Sequence, residues 1–354
     1  MNTTIINTLL EAAVRAPSGD NVQPWQFQVS KDCTTINVYN LPEKDNSYYN
    51  YEQSASYIAH GAVIENITIA ARYLACQAEL QLFPDESDQD LVATIKLSPA
   101  NATDEPLYHA IFERHTNRFH YKRQAVAQQI IDKLSLSVNC IEDASVKLAH
   151  TQADIKPLAK ALMLNDRLVF EREDLHQFLF DKVRWNKRQV EESHDGMPLE
   201  TLGLNPVEKL IFPLMRFWSF VKCANYVGLA KIIGLKCWWN CHTASVLGMV
   251  SIKGNDKFAF VQAGRAVQRL WLQATLEGLS LQPIIGLTLL INRSKHNALQ
   301  ACAESHISAI ESTETKLVDL LGIEESDTMV MAFRLGIGKS PDIKTKRKTA
   351  AFKQ

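Results

Sequence analysis

The chain lacks most of the features that assign a protein to a specialised class. Among its 354 residues, 38 Lys and Arg face 39 Asp and Glu, for a net charge of −1. No overall basic field points to nucleic acid as a partner. Cysteine is sparse and scattered, seven in all, so no disulfide framework is expected and a reducing, cytoplasmic setting is. Met1-Asn2-Thr3-Thr4-Ile5-Ile6 carries no basic stretch ahead of an apolar run, so no secretory leader is expected. Long uncharged apolar runs are also missing. The most apolar stretch, residues 210–235, is interrupted by Arg216, Lys222, Asn225 and Lys231. A span needs about 20 nearly charge-free residues. No membrane partner is expected, and the stretch reads as a buried or lid-forming helix pair. There is no Gly-x-Gly-x-x-Gly after a strand, no Gly-x-Ser-x-Gly and no phosphate loop, which removes the common nicotinamide-domain, hydrolase and nucleotidase readings. Cys237, Cys241 and His242 stand close together, but no partner pair completes a four-ligand zinc site, so no metal is expected.

What is present describes a globular chain. Hydrophobic residues make up 46% and charged residues 22%. The length suggests two units of about 100–200 residues. Apolar spacing predicts helices over residues 4–14, 56–78, 107–114 and 258–278, and strands over 25–29, 35–38, 91–97, 245–252 and 328–335. Residues 124–135 have the pattern of another helix. Two of the helices are alike: Gly61-Ala62-Val63-Ile64-Glu65-Asn66 and Gly264-Arg265-Ala266-Val267-Gln268-Arg269 place glycine, apolar and polar residues similarly. A weak internal duplication is therefore expected. Residues 1–105 form one half, and residues 106–158 with 241–354 the other. Residues 159–240, rich in aromatic and basic side chains, form a helical insertion and a candidate lid.

Two segments carry chemistry. In Pro17-Ser18-Gly19-Asp20-Asn21-Val22-Gln23-Pro24-Trp25 a helix ends and small residues permit close backbone approach to a ligand. Ser18, Asn21 and Gln23 offer hydrogen bonds there. By composition alone this is also an ordinary helix-to-strand turn with a core tryptophan. In Arg114-His115-Thr116-Asn117-Arg118, two guanidinium forks flank a hydroxyl, a set suited to a phosphate group. By itself that string reads more readily as a solvated basic turn.

The ordered string Pro-Ser-x-x-Asn-x-Gln-Pro-Trp resembles the signature of the FMN-dependent nitroreductase family. The Arg114–Arg118 segment resembles the Arg-Arg-Ser-x-Arg string that opens those domains and holds the FMN phosphate. The resemblance covers residues 5–125 and 243–348. It implies an α+β, nitroreductase-like fold with mixed, mainly antiparallel sheets flanked by helices, in two pseudo-symmetric halves. One half carries the first motif and the other carries the arginine pair, as in the fused, Acg-like branch. That arrangement implies a family dimer fused into one chain, with one FMN site kept and the second lost.

By that resemblance the cofactor-binding residues are Pro17, Ser18, Asn21, Gln23, Arg114, Thr116 and Arg118. Pro283 and Gly286 are added near the flavin ring, and Lys339 or Arg347, with Lys346 also a candidate, from the basic tail. Residues 329–335 read as the closing strand, and 336–339 as a turn. The implied activity is hydride transfer from NAD(P)H through FMN to an electron-poor acceptor such as a nitroaromatic or quinone, with no side chain assigned as catalytic. The alternatives are a protein that stores or sequesters FMN without turnover, and an enzyme acting on a dedicated substrate. A monomer or homodimer is expected.

Overall fold

The computed structural model describes residues 1–101, 103–300, 302–350 and 352–353. In its first half α1 (Thr3–Ala13) precedes β1 (Trp25–Val29) and β2 (Thr35–Asn40), then α2 (Ser54–Tyr73), β3 (Cys76–Leu82) and β4 (Leu91–Pro99). Asn2 caps α1 by accepting from the Ile5 N–H at 2.9 Å. The strands lie in the order β1-β2-β4-β3, antiparallel throughout.

After α3 (Leu107–Glu113) and the short β5 (Tyr121–Lys122), α4 (Gln128–Leu136) leads to β6 (Ala144–Ala149). A helical insertion follows: α5 (Gln152–Leu162), α6 (Leu164–Glu171) and α7 (Glu173–Asp181), then β7 (Val183–Arg184), α8 (Lys187–Ser193), β8 (Met197–Pro198), α9 (Pro206–Met215), α10 (Trp218–Asn225) and α11 (Leu229–His242). The second sheet then resumes with β9 (Val246–Lys253), α12 (Lys257–Leu276) and β10 (Ser280–Ile284). Helices α13 (Gly286–Lys295) and α14 (Glu304–Leu321) precede β11 (Asp327–Gly338). Its order, β6-β9-β11-β10, is again antiparallel. Each half thus sets two strands, a long helix and two more strands in one spatial order. The α+β class with mainly antiparallel sheets is as expected.

The halves meet where α2 crosses α12. A Cβ on Gly61 would stand 2.0 Å from the Val261 carbonyl oxygen, and one on Gly264 would stand 2.0 Å from that of Ile58. Glu65 is buried between Arg265 and Arg269 at 2.9 and 2.7 Å, and Gln268 donates to Asn66 at 2.6 Å. Gly264 and Val261 each lie 203 positions after Gly61 and Ile58, and the same offset relates Gln268 to Glu65 and Arg269 to Asn66. The Gly61–Val261 and Glu65–Arg269 contacts therefore have exchanged counterparts in Gly264–Ile58 and Gln268–Asn66, as across an isologous interface, while Arg265 answers to Ala62 and its ion pair has none.

Three local readings of the sequence need correction. The long helix ends at Tyr73 rather than Ala78, because Ala75 turns with a positive φ of 56° and the two-residue alternation of Cys76–Leu82 takes over. Residues 336–338 do not turn. They extend β11, and their glycines leave room for the Tyr121 ring, whose Cδ1 would lie 2.7 Å from a Cβ on Gly338. The basic tail runs back to the first sheet, where β12 (Phe352–Lys353) pairs parallel with β1. Finally, the stretch 210–235 is not a buried helix pair, since much of its apolar surface is exposed. Among the described residues no helix is long and apolar enough to cross a membrane.

The crossing yields a test whose sign is informative. Gly→Ala inside a helix ordinarily stabilises by up to about 1 kcal/mol. Here the new methyl meets backbone on the facing helix, so Gly61→Ala should destabilise by roughly 2–3 kcal/mol in urea unfolding. A gain in stability would contradict the close crossing.

Candidate anion and cofactor site

The site forms where three segments converge. After α1, Gly19–Asn21 forms a single 3₁₀ turn, and Asp20, Asn21 and Gln23 all adopt left-handed backbone with φ of 43°, 60° and 55°. Asp and Asn tolerate that region better than most residues, and strained backbone of this kind gathers at functional sites. The Ser18 hydroxyl accepts from the Gln23 N–H at 3.0 Å and fixes the turn.

The second segment leaves the end of α3. The buried Asn117 pins it: its Nδ2 donates to Ser280 Oγ and to the Lys339 carbonyl, both at 2.9 Å, and its N–H donates to the Leu281 carbonyl. That anchoring directs Arg114, His115, Thr116 and Arg118 toward the turn. The third segment is the tail, residues 341–347. Together the three enclose a cavity of about 50 Å³ lined by Pro17, Ser18, Asp20, Asn21, Arg114, His115, Thr116, Arg118 and Arg347, with Met197 and Thr201 from the insertion.

Around Arg114 and Arg347 the electrostatics are one-sided, while Asp20 lines the same cavity beside Arg118. Arg114 is buried, donates to the Arg15 carbonyl at 2.8 Å and lies 4.5 Å over the Trp271 ring of α12. Its Nε and that of Arg347 are buried without a partner. Burial, and then the Arg347 charge, pull Arg114 down to about 9. Burial, and then Arg15, pull Arg347 down to about 10. No carboxylate contributes to holding either charge. Buried cations are normally paired, so this donor set is complete only with an anion. Arg118 faces a weak acceptor, the Met197 sulfur at 3.2 Å.

Part of the insertion closes the site. The side chain of Asn21 donates to the carbonyls of Gly196 and Lys346, at 3.2 and 3.0 Å. Gln23 donates to the His194 carbonyl at 2.9 Å and accepts from the Lys348 N–H at 2.9 Å. Residues 194–203 thus form a strap over the turn. A ligand the size of a flavin needs a cavity of roughly 300–1,000 Å³, and what remains beneath the strap has room for a few waters.

Of the residues expected to bind a cofactor, Pro17, Ser18, Asn21, Arg114, Thr116, Arg118 and Arg347 line the cavity. Gln23 stands just behind it. Pro283 and Gly286 are not among its lining residues: Pro283 pairs with Phe333 within the second sheet, and Gly286 packs against Asn165 and Tyr49. Lys339 is exposed and paired with Asp342 at 3.4 Å. Sequence reasoning expected a lid from residues 159–240 without singling out the segment that closes the site, and it did not foresee the anchoring role of Asn117. Asn117 sat inside the quoted motif, but nothing in the string distinguishes a residue that holds the loop from one that holds a ligand.

Burial pushes the Asp20 carboxyl up to about 6, with Arg118 pulling against that shift and Asp45 adding to it. The folded state therefore binds this proton more tightly than the unfolded chain, so the contribution to stability is largest below pH 3.8 and is lost as pH rises through about 6. Asp20→Asn stays neutral throughout. Its melting temperature relative to wild type should rise between pH 5 and 7.5; an unchanged difference would contradict the assigned burial.

The chain matches no protein-family model. It is 24% identical over 355 aligned residues to an uncharacterized Mycobacterium tuberculosis protein, covering 96% of this chain and 46% of the relative. It is 30% identical over 118 residues to an M. tuberculosis protein provisionally named an NAD(P)H nitroreductase, 33% of this chain and 34% of the relative. The chain thus spans less than half the length of these relatives. It is also 25% identical over 286 residues to the M. tuberculosis protein provisionally named NAD(P)H nitroreductase Acg, covering 79% of this chain and 80% of Acg. Among solved structures, a Bacteroides fragilis nitroreductase with bound FMN superposes with a TM-score of 0.36 at 15% identity, covering 70% of this chain and 96% of its own. Scores of that size do not establish a shared fold. By sequence, the chain is similar to M. tuberculosis proteins provisionally named NAD(P)H nitroreductases, to Acg over about four-fifths of its length.

Proposed function

We propose that this chain is an FMN-binding, nitroreductase-like oxidoreductase. The observation that carries the reading is the pair of guanidiniums, Arg114 buried and Arg347 half-buried, that no carboxylate neutralises and that share a cavity with the Ser18 and Thr116 side chains. A phosphate monoester supplies the missing charge and enough acceptors for both forks. The Pro-Ser-x-x-Asn-x-Gln-Pro-Trp segment stands directly beside that charge, and the mycobacterial relatives are provisionally named NAD(P)H nitroreductases.

When bound, FMN supplies the two-electron chemistry that couples a reduced nicotinamide to an electron-poor acceptor such as a nitroaromatic or quinone. The chain's own part is to bind and orient. Arg114, Arg347, Ser18 and Thr116 hold the phosphate, with Arg118 as a further donor once freed from Met197. Trp271 keeps the Arg114 fork in place from below. Asn21 and Gln23, with Pro283 and Gly286, serve the rest of the cofactor once residues 194–203 move aside. Lys339 has no place in this assignment. The common strand order of the two sheets and the exchanged contacts at the α2–α12 crossing favour two related halves carrying one FMN per chain.

A second reading, FMN storage without turnover, is favoured by the strap. The side chains that would meet the cofactor are already hydrogen-bonded to His194, Gly196, Lys346 and Lys348. Steady-state oxidation of NADH or NADPH by the flavin-loaded protein decides between the two: turnover supports the reductase, and flavin retained without turnover supports storage.

The binding claim has its own test. Each charge-assisted contact contributes about 1.5–3 kcal/mol. Arg114→Ala with Arg347→Ala should therefore weaken FMN binding about a hundredfold or more in flavin-fluorescence titrations. The thermal stability of the ligand-free variant should hold or rise, because a buried repulsion is removed. Undiminished affinity in a folded variant would show that the phosphate lies elsewhere.

A further inference from the structure

We propose that α9 and α11 form a docking face for an anionic lipid surface, independently of what the cofactor site binds. The sequence led us to expect no membrane partner, and the exposed geometry of these helices revises that. On α9, Val207, Leu210, Ile211 and Leu214 follow the i, i+3, i+4, i+7 spacing of an amphipathic helix. That stripe points outward: Leu210 is 79% exposed and Leu214 53%. The opposite side of the helix, with Phe212 and Met215, packs on the protein. On α11, Ile232, Leu235 and Trp239 repeat the arrangement, all more than half exposed, while Ala230, Gly234, Cys237 and Cys241 face inward. Glu208 and Lys236 tie the two helices together at 2.6 Å. Between them, Phe217, Tyr226 and Val227 are exposed as well, Tyr226 at 86%.

Monomers seldom expose so much contiguous apolar surface without using it. Charge selects the partner. From Lys209 to His242 there is no acidic residue, and Lys209, Arg216, Lys222 and Lys231 are exposed, in a chain whose net charge is −1. Leucine and isoleucine stripes, aromatic residues and unopposed cations match the boundary between anionic headgroups and acyl chains. A second copy of this chain fits less well, because an isologous contact sets these cations against their own copies. The helices are too short to span, so the contact lies in the plane of the surface.

The test uses the full chain and sedimentation with vesicles of phosphatidylcholine alone or mixed with phosphatidylglycerol. Binding should require phosphatidylglycerol and weaken as salt is raised. Lys222→Glu with Lys231→Glu should lower the partition on the order of tenfold or more, since each cation contributes about 1 kcal/mol. Leu210→Glu with Leu235→Glu should abolish it. All four positions are exposed, so the variants should melt as wild type does. No sedimentation with either vesicle overturns the proposal. So does a concentration-dependent dimer in light scattering that Leu210→Glu dissolves, which would assign the face to self-association.

Discussion

Two helices with no side chain at their point of contact set the arrangement of everything else. The carbonyls of Ile58 and Val261 occupy the space where Cβ atoms of Gly264 and Gly61 would stand, so α2 and α12 approach at backbone distance. Around that point the polar contacts are internal to the crossing: Glu65 is neutralised by Arg265 and Arg269, and Asn66 accepts a hydrogen bond from Gln268. Breaking such a buried pair is costly because one charge is left alone. The crossing is therefore fixed both sterically and electrostatically. It holds the two sheets as mirror partners in strand order and brings the turn after α1 next to the loop after α3.

The contrast with the cofactor site is instructive. At the crossing, two arginines share one buried glutamate. At the site, Arg114 and Arg347 share nothing, and burial pulls both below the ordinary arginine range. The same fold thus satisfies its structural cations from within and leaves its site cations to be satisfied from outside. Trp271 links the two regions: it belongs to the crossing helix, yet its ring lies under Arg114. The close helix approach is thereby transmitted to the position of the anion-binding fork.

Legibility in the sequence followed periodicity and local string content. The helices around Gly61 and Gly264 and the strands at Trp25 and Val246 were readable because apolar spacing at one period is unbroken there. That the two glycine helices touch could not be read from spacing, although their likeness hinted at a common role. The alternation of Cys76–Leu82 was overridden by the helical run before it, since apolar residues are continuous up to the turn at Ala75. Gly336 and Gly338 looked like a turn because glycine serves turning and close packing alike, and only the Tyr121 ring tells them apart. At the site, Arg114 and Asn21 were legible as motif positions. A lid and a tail cation at the site were expected, but which residues of the insertion close it and how the tail is held were not legible, because both depend on contacts between residues more than 100 positions apart, such as Asn21 with Gly196 and Lys346. The exposed stripe on α9 has the periodicity of a core helix, and sequence cannot say which side of the protein such a stripe faces.

The central claim is that a phosphate, rather than a flat ring alone, completes this site. The most direct measurement compares FMN with riboflavin, which lacks the phosphate, in equilibrium titrations followed by flavin fluorescence at fixed salt. With two guanidiniums that no carboxylate neutralises as the anchor, FMN should bind about a hundredfold tighter or more. Equal affinities would show that Arg114 and Arg347 do not hold the cofactor and would contradict the account.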